Sequence, residues 1–493
     1  MCDYSAKYYD YEKESDIEYK CPHEPTKPRC MFHDGESFKS MPAVVREEFY
    51  NMVKNAITNN ESLYCIGFYL PEITVNKKFT KPVYFLGAKF QQANFLLAIF
   101  HQQADFSDAI FQQANFSGAT FHQQANFLGA TFQQAYFLRA TFHQQANFSS
   151  ATFHQQAYFS GADFSEVEFL YVNFPSKYRT NKHLFSWDDK NIINKDIIIN
   201  ALKEVIPTDI DWLHNADLQV KEREITVSNS THRLSIKLDS DPAKAKSATL
   251  EIDNLTYKLI VRRNKNKPDI YTGIPITFAY SKFRSSARFV GKSDDEPLDL
   301  SDVSFKGVLL DKVEFHNVKW GEGRVLWFIK RNIVADELIM DVMNNYQEVS
   351  RIYDQLRKNY EMHLLFNEAS HFFIGEMEAI RKSLYKMGTG GKLSSILYWL
   401  YKYIALYGEN VFLPLIVWTP AIIIVFAILR ILHGGCYEYQ CVIEWVTDSI
   451  AAYFQVPKNI LQQTTWDIIE RILAIPILGS AFIALKRRFE RRK

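Results

Sequence analysis

Three cysteines and a histidine near the N-terminus, Cys2, Cys21, Cys30 and His33, form the pattern C-x18-C-x8-C-x2-H. Three thiolates and one imidazole make a closed tetrahedral donor set. Its soft sulfur donors suit zinc, and with four protein ligands no position is left for a substrate, so the expected chemistry is structural. The first spacing is long and His23 is a substitute candidate ligand, so the alternative is a set of ordinary reduced thiols in a tail. Cys65, in Leu63-Tyr64-Cys65-Ile66-Gly67, reads as a small buried residue. Cys436 and Cys441 stand far away in sequence and could pair in an oxidising compartment. Six cysteines in two distant groups argue against a single disulfide framework.

Other candidates weigh less. His101, His122 and His143 recur every 21 residues, with Thr80 at the preceding step and His154 half a period later. A column of imidazoles could sense pH or hold metal, but a bare column lacks converging ligands, and the plainer reading is a surface bulge copied by duplication. Glu376 and Glu378 could be an acid/base pair, yet two residues apart on a helix they point away from each other and read as a solvated face with at most one buried salt bridge. No catalytic residue is assigned. The sequence contains no Walker loop, nucleotide fingerprint, nucleophile elbow or zinc-protease helix, so an enzyme sited in residues 175–275 is the weakest expectation. A net charge of +1 gives no reason to expect nucleic acid.

The elements that must position these residues are written in the 38 Phe of the chain. From Phe79 to Phe174 a Phe recurs every five residues with occasional steps of six, and a small residue, mostly Ala, stands two before almost every one, as in Ala114-Asn115-Phe116-Ser117-Gly118. Five fits neither a helix nor a simple strand. Steps of six begin at Phe79, Phe100, Phe121 and Phe142, so four pentads plus one residue make one coil, and equivalent positions should stack roughly 4.8 Å apart. These A-(D/N)-(L/F)-x-x units resemble the pentapeptide-repeat family, which implies a mainly β fold: a right-handed quadrilateral β-helix with Phe and Ala stacked inside. Some members of that family imitate DNA with acidic columns, whereas the outward Gln, Ser, Gly and Thr here are nearly neutral and read as amide ladders or a docking face for a protein partner.

The ladder resumes at Phe278, Phe283, Phe289, Leu300, Phe305, Leu310, Phe315 and Trp320, with Ile276, Ala287, Val303, Val308, Val313 and Val318 two before their partners. Residues 175–275 between the two stretches carry no pentads. They read as an inserted α+β module with a helix near Lys195–Ile206 and strands near Glu224–Ser228, Arg233–Leu238, Ala248–Ile252 and Thr256–Val261. The expected organisation is a Cys/His segment over 1–40, a solenoid cap over 41–78, the β-helix over 79–174, the insertion over 175–275 and resumed β-helix over 276–328. A helical hairpin and linker follow over 329–392, with Met387 to Gly391 as a flexible stop, and then a membrane domain over 393–493.

That last region holds a first span at Val411–Leu429, which Pro414 and Pro420 would kink, and a shorter one at Ile472–Leu485. Asp467, Glu470 and Arg471 before the second must lie at an interface or in water. Tyr398, Trp399, Tyr401, Tyr403 and Tyr407 form an interfacial belt, and Val442–Val456 suits a re-entrant helix. Lys486, Arg487, Arg488, Arg491, Arg492 and Lys493 follow the second span, and Met1–Ser15 lacks a signal-peptide core. The expectation is a multi-pass cell-membrane protein with both ends cytoplasmic. The strings Arg29-Cys30-Met31-Phe32-His33-Asp34 and Tyr353-Asp354-Gln355-Leu356-Arg357-Lys358-Asn359-Tyr360-Glu361, with Phe372-Phe373-Ile374-Gly375-Glu376-Met377-Glu378, resemble an archaeal group of pentapeptide-repeat membrane proteins. Leu478-Gly479-Ser480-Ala481-Phe482-Ile483-Ala484-Leu485 resembles the last helix of channel-like C-termini. That implies structural zinc at Cys2, Cys21, Cys30 and His33, a lipid bilayer as partner, and homo-oligomers if a pore forms. Gln455-Val456-Pro457-Lys458-Asn459, however, replaces any T-x-G-(Y/F)-G filter. The two readings are a membrane-anchored scaffold or sensor regulating a channel-like C-terminus, and a tethered interaction scaffold without conductance.

Overall fold

A chain that repeats one short apolar pattern buries its large side chains by laying each copy on the last. The structure, a computed structural model, describes residues 2–23, 30–175, 267–326, 329–338, 345–434, 438–457 and 464–490, together with most of the strands between 183 and 264. The chain divides into two compact units, residues 1–322 with 333–344 and residues 323–332 with 345–493.

The first unit is mainly β. Strand Ile110–Asn115 lies parallel between Lys89–Asn94 and Thr131–Tyr136, so Phe111 faces Phe90 on one side and Phe132 on the other, and Ala114 faces Ala93 and Ala135. The rings of Phe90, Phe111 and Phe132 stack at 4.7 and 5.0 Å with their planes within 4°. Each interior Phe is fully buried, worth roughly 2–3 kcal/mol of apolar transfer. At the corners the chain turns within one pentad. Ala119 N–H donates to the Phe116 carbonyl at 3.0 Å, Gly118 takes φ +64°, and the Asn115 side chain accepts from Ser117 N–H at 3.0 Å. This is a type II turn held by an Asx contact, which is why Asn or Asp precedes Phe in so many pentads.

The stack runs through the interruption. Ala157 pairs with Ile276 and Phe164 with Phe283, and the rings of Phe159 and Phe278 lie 4.8 Å apart. Within the intervening residues, seven strands form an antiparallel sheet from His183–Ser186 to Lys267–Thr272. Its core is built on Ile225, Val227, Leu234, Ile236, Leu250 and Ile270. Strands Glu224–Ser228, Arg233–Leu238, Ser247–Ile252 and Leu255–Asn264 fall on the alternating segments of the sequence. The helix expected near Lys195–Ile206 lies outside the described residues, apart from Leu202.

Ahead of the coils come a hairpin, β1 (Ser5–Asp10) and β2 (Ser15–Lys20), a short helix α1 (Gly35–Ser40) and a longer one, α2 (Pro42–Asn59). Helix α2 buries Val45, Phe49, Val53 and Ala56 along one stripe. Cys65, fully buried, follows the Tyr64–Tyr84 pair in register, so it occupies the coil position that Phe85 fills one level on. Phe49 packs near Phe85 with ring centroids 6.4 Å apart. The small thiol at the first coil thus leaves room for the helix that closes the stack.

The second unit is helical: α3 (Tyr346–Met362), α4 (Phe366–Tyr385), α5 (Gly388–Ala405), α6 (Leu413–Gly434), α7 (Tyr439–Tyr453) and α8 (Thr465–Glu490). Val349, Ile352, Tyr353, Leu356 and Tyr360 bury one face of α3, and Ala369, Phe372 and Ala379 answer from α4. Two expectations are corrected here. Met387 to Gly391 is no flexible stop, because Gly388 turns the chain at φ +63° and α5 starts there at once. The second apolar helix is longer than Ile472–Leu485 and carries Pro476 inside it. In the first apolar helix, Pro414 lies in a π turn over Leu413–Trp418, where the Thr419 hydroxyl donates to the Pro414 carbonyl at 2.8 Å. The pairing of Cys436 with Cys441 involves Cys436, outside the described residues.

Candidate metal centre and the buried ion cluster

The hairpin closes the long first spacing of the Cys/His pattern. Register Ser5↔Lys20 brings the two ends of the β1–β2 hairpin together. Cys21 N–H donates to the Tyr4 carbonyl at 3.1 Å and Cys2 N–H to the His23 carbonyl at 3.3 Å, so Cys2 and Cys21 sit side by side at its open end. Cys30 and His33 come from a tight turn, in which the N–H groups of His33 and Asp34 both donate to the Cys30 carbonyl at 3.0 Å. Asp34 then caps α1 by accepting from Glu36 N–H at 3.1 Å.

The four donor atoms lie within 4.8 Å of one another and all four residues are buried. Cys21 Sγ is 3.5 Å from Cys30 Sγ, Cys30 Sγ is 3.2 Å from His33 Nδ1, and Cys2 Sγ is 3.6 Å from His33 Nδ1. A tetrahedron with zinc–sulfur and zinc–nitrogen bonds of ordinary length has edges of about 3.4–3.8 Å; two of these distances match it and the Cys30–His33 edge is slightly shorter, so the set is close to that of a tetrahedral ion. His33 Nε2 lies 2.9 Å from the Ile66 carbonyl, which fixes the proton there and leaves the Nδ1 lone pair facing the sulfurs. Tyr4 stacks on the imidazole at 3.9 Å. Burial pushes the Cys21 thiol up to about 12 and also raises Cys30. Burial works the same way on Cys2, but there the Cys30 and Tyr4 backbone groups outweigh it and the thiol falls below its ordinary value. The cluster can bind a metal. His23 is not part of it; its ring lies against Phe32 and Phe68.

On the solenoid surface, His101, His122 and His143 stack at 4.8 and 4.9 Å with planes within 6°. Gln92 donates to Gln113 at 3.0 Å and Gln124 to Gln145 at 3.3 Å, so the amide ladder exists as hydrogen bonds. In the second unit Glu376 and Glu378 diverge, but they do not form a solvated face. Glu376 meets Arg357 at 3.0 Å, and Glu378, buried, meets Arg381 at 3.1 Å, Lys402 at 3.3 Å and the Tyr407 hydroxyl.

The main correction concerns the charges at the start of α8. Asp467 and Glu470 are not in water: both are at most 2% exposed and pair with Arg430 of α6, itself buried, at 2.8 and 2.7 Å. Ser449 of α7 donates to the other Glu470 oxygen at 2.5 Å. The guanidinium therefore ties α6 to α8, and Glu470 joins α7 to the same cluster. Sequence reasoning missed Arg430 because it stands just past the apolar run. The available signal was the i, i+3 spacing of two acids at the head of an apolar helix, which puts both on one face and calls for a cation.

A model of nine pentapeptide-repeat copies matches residues 106–151 and 139–174, and a model of eight copies matches residues 84–123. No curated protein and no solved structure matches the chain. The coils over 84–174 are pentapeptide repeats, and α6 and α8 are long and apolar enough to cross a membrane.

Proposed function

We propose that the chain is a membrane-anchored pentapeptide-repeat scaffold, without catalytic activity, whose solenoid docks a protein partner and whose N-terminal end is fastened by structural zinc. The observation that carries the membrane reading is that only 22% of the apolar window of α6 and 33% of that of α8 is buried. A core helix of a soluble protein hides most of its apolar surface, whereas here Phe412, Ile416, Ile424, Ile475 and Phe482 stand exposed, as lipid contact requires. The basic run that begins with Lys486, Arg487 and Arg488 in the last turns of α8 orients both ends to the cytoplasm. Nothing in this arrangement calls for nucleic acid.

The tethered scaffold is favoured over a conducting oligomer. The segment just after α7 is tied to α8: the Arg471 side chain donates to the Val456 carbonyl, and the Gln455 side chain donates to the Arg471 carbonyl at 3.0 Å. A Val456 carbonyl engaged in this way is not free to replace an ion's hydration shell. For the metal, zinc is supported by the donor set, the tetrahedral edges and the oriented imidazole.

The full chain should stay in the membrane fraction after alkaline carbonate extraction and should pass no current in planar bilayers. Release by carbonate would overturn the anchor, and a reproducible conductance would restore the channel. Metal analysis should find one zinc per chain. Removing it with a chelator should expose Cys2, Cys21 and Cys30 to alkylation while buried Cys65 stays protected, and Cys30→Ser should abolish zinc retention.

A further inference from the structure

Within the second unit, a cavity of about 770 Å³ opens where both apolar helices end. Its wall includes Gly408, Glu409 and Asn410 just ahead of α6 and Arg487 and Arg488 in the last turns of α8. The Arg430 pairs join the far end of α6 to the start of α8, and Arg487 meets Glu409 at 3.2 Å. The two helices are therefore antiparallel, and the cavity sits at one edge of the apolar slab they define.

Its polar groups lean toward an anion. Lys330, Arg487 and Arg488 face Glu368 and Glu409. Glu409 is already spent, since it accepts from Ser370 Oγ at 2.6 Å as well as from Arg487. Arg488 makes no ion pair among the described residues; its guanidinium lies 5.9 Å over the Phe412 ring. His371 also lines the cavity, although its Nδ1 is itself covered and has no hydrogen-bond partner. The first turn of the 20-residue α4 also lines the cavity, and its end carries no side-chain cap. Beside these donors the rim is apolar: Leu364 and Leu365 of the α3–α4 turn are 73% and 40% exposed, and Phe412 is 57% exposed. A free guanidinium and a helix N-terminus over exposed leucines match a phosphate with hydrocarbon attached.

We propose that this cavity holds the headgroup phosphate of an anionic phospholipid, with Arg488 and the α4 N-terminus on the phosphate and the acyl chains against Leu364, Leu365 and Phe412. The proposal rests on the membrane reading above. The test is binding to the detergent-solubilised full chain, by native mass spectrometry, of short-chain phosphatidylglycerol, short-chain phosphatidylcholine and inorganic phosphate. Phosphatidylglycerol should bind most tightly, and Arg488→Gln should weaken it about tenfold, the loss of one charge-assisted contact. Lys486→Gln, an exposed cation on the same helix outside the cavity wall, should leave it unchanged. Equal binding of phosphatidylcholine overturns the requirement for an anionic lipid. Inorganic phosphate binding as tightly as phosphatidylglycerol makes the occupant a free anion. Equal losses in the two variants reduce the effect to diffuse charge and overturn the site. A chain that stays in solution without detergent instead overturns the anchor itself, whereas a detergent-dependent chain indifferent to phosphatidylglycerol overturns this site alone.

Discussion

The imidazoles of His101, His122 and His143 stack at 4.8 and 4.9 Å, so a proton on the middle ring has a neighbour on either side. Slight burial and the flanking rings hold His122 below its ordinary value of 6.5. The folded chain therefore binds this proton less readily than the unfolded one. The resulting stability is fully present above the unfolded pKa and is lost as pH falls through it toward the lower folded one. On acidification followed by NMR, His122 should protonate at a lower pH in the folded chain than in the unfolded one. His122→Asn should reduce the drop in solenoid Tm between roughly pH 7 and 5; a variant that keeps the full drop would place the acid sensitivity elsewhere. The same residue scale shows why the metal ligands were only partly legible. Residue types and the C-x8-C-x2-H spacing are visible in sequence. That Cys2 lies beside Cys21 depends on the hairpin register, which no local spacing encodes.

At the level of the coil, the corners alternate small and large side chains. Leu97, Gly118, Arg139 and Gly161 occupy one corner on successive coils, all with positive φ. A Cβ on Gly118 would come within 2.7 Å of Leu97 Cδ2, whereas one on Gly87, at nearly the same φ, would meet nothing within 4 Å. Gly87→Ala should cost only the left-handed backbone penalty, about 1 kcal/mol. Gly118→Ala should cost that amount plus the displacement of Leu97, and the excess should vanish in Leu97→Ala/Gly118→Ala. Chemical denaturation of the four variants checks this, and equal costs for the two single changes would show that Leu97 simply swings aside. Coils were legible because a five-residue period excludes the other regular structures. Helix limits in the second unit were not. Charges at the head of α8 argue for an end to the apolar segment when read alone, and only the Arg430 side chain from another helix makes them interior.

Across the whole molecule, the coil is indifferent to what leaves it between two levels. Phe159 stacks on Phe278 at 4.8 Å and Phe169 on Phe289 at 4.9 Å, distances equal to those between uninterrupted coils. The phase of the second Phe ladder made this continuity readable, since an unrelated segment would not resume the five-residue step with small residues two before each ring. Pro175 and Pro275 line one small pocket with Phe174 and Ile276, so the exit and return of the chain are close together. The antiparallel sheet between them has its own core, and among the described residues no coil side chain belongs to it. Replacing residues 177–274 by a short Gly/Ser linker should therefore leave the solenoid folded. The change in its stability should stay within roughly 1–2 kcal/mol, because loop closure depends only logarithmically on length and the native ends are already adjacent. Circular dichroism and thermal unfolding of the shortened chain measure this directly. A shortened chain that loses the Phe stack would mean that the sheet holds the upper coils onto the lower ones, rather than being carried by them.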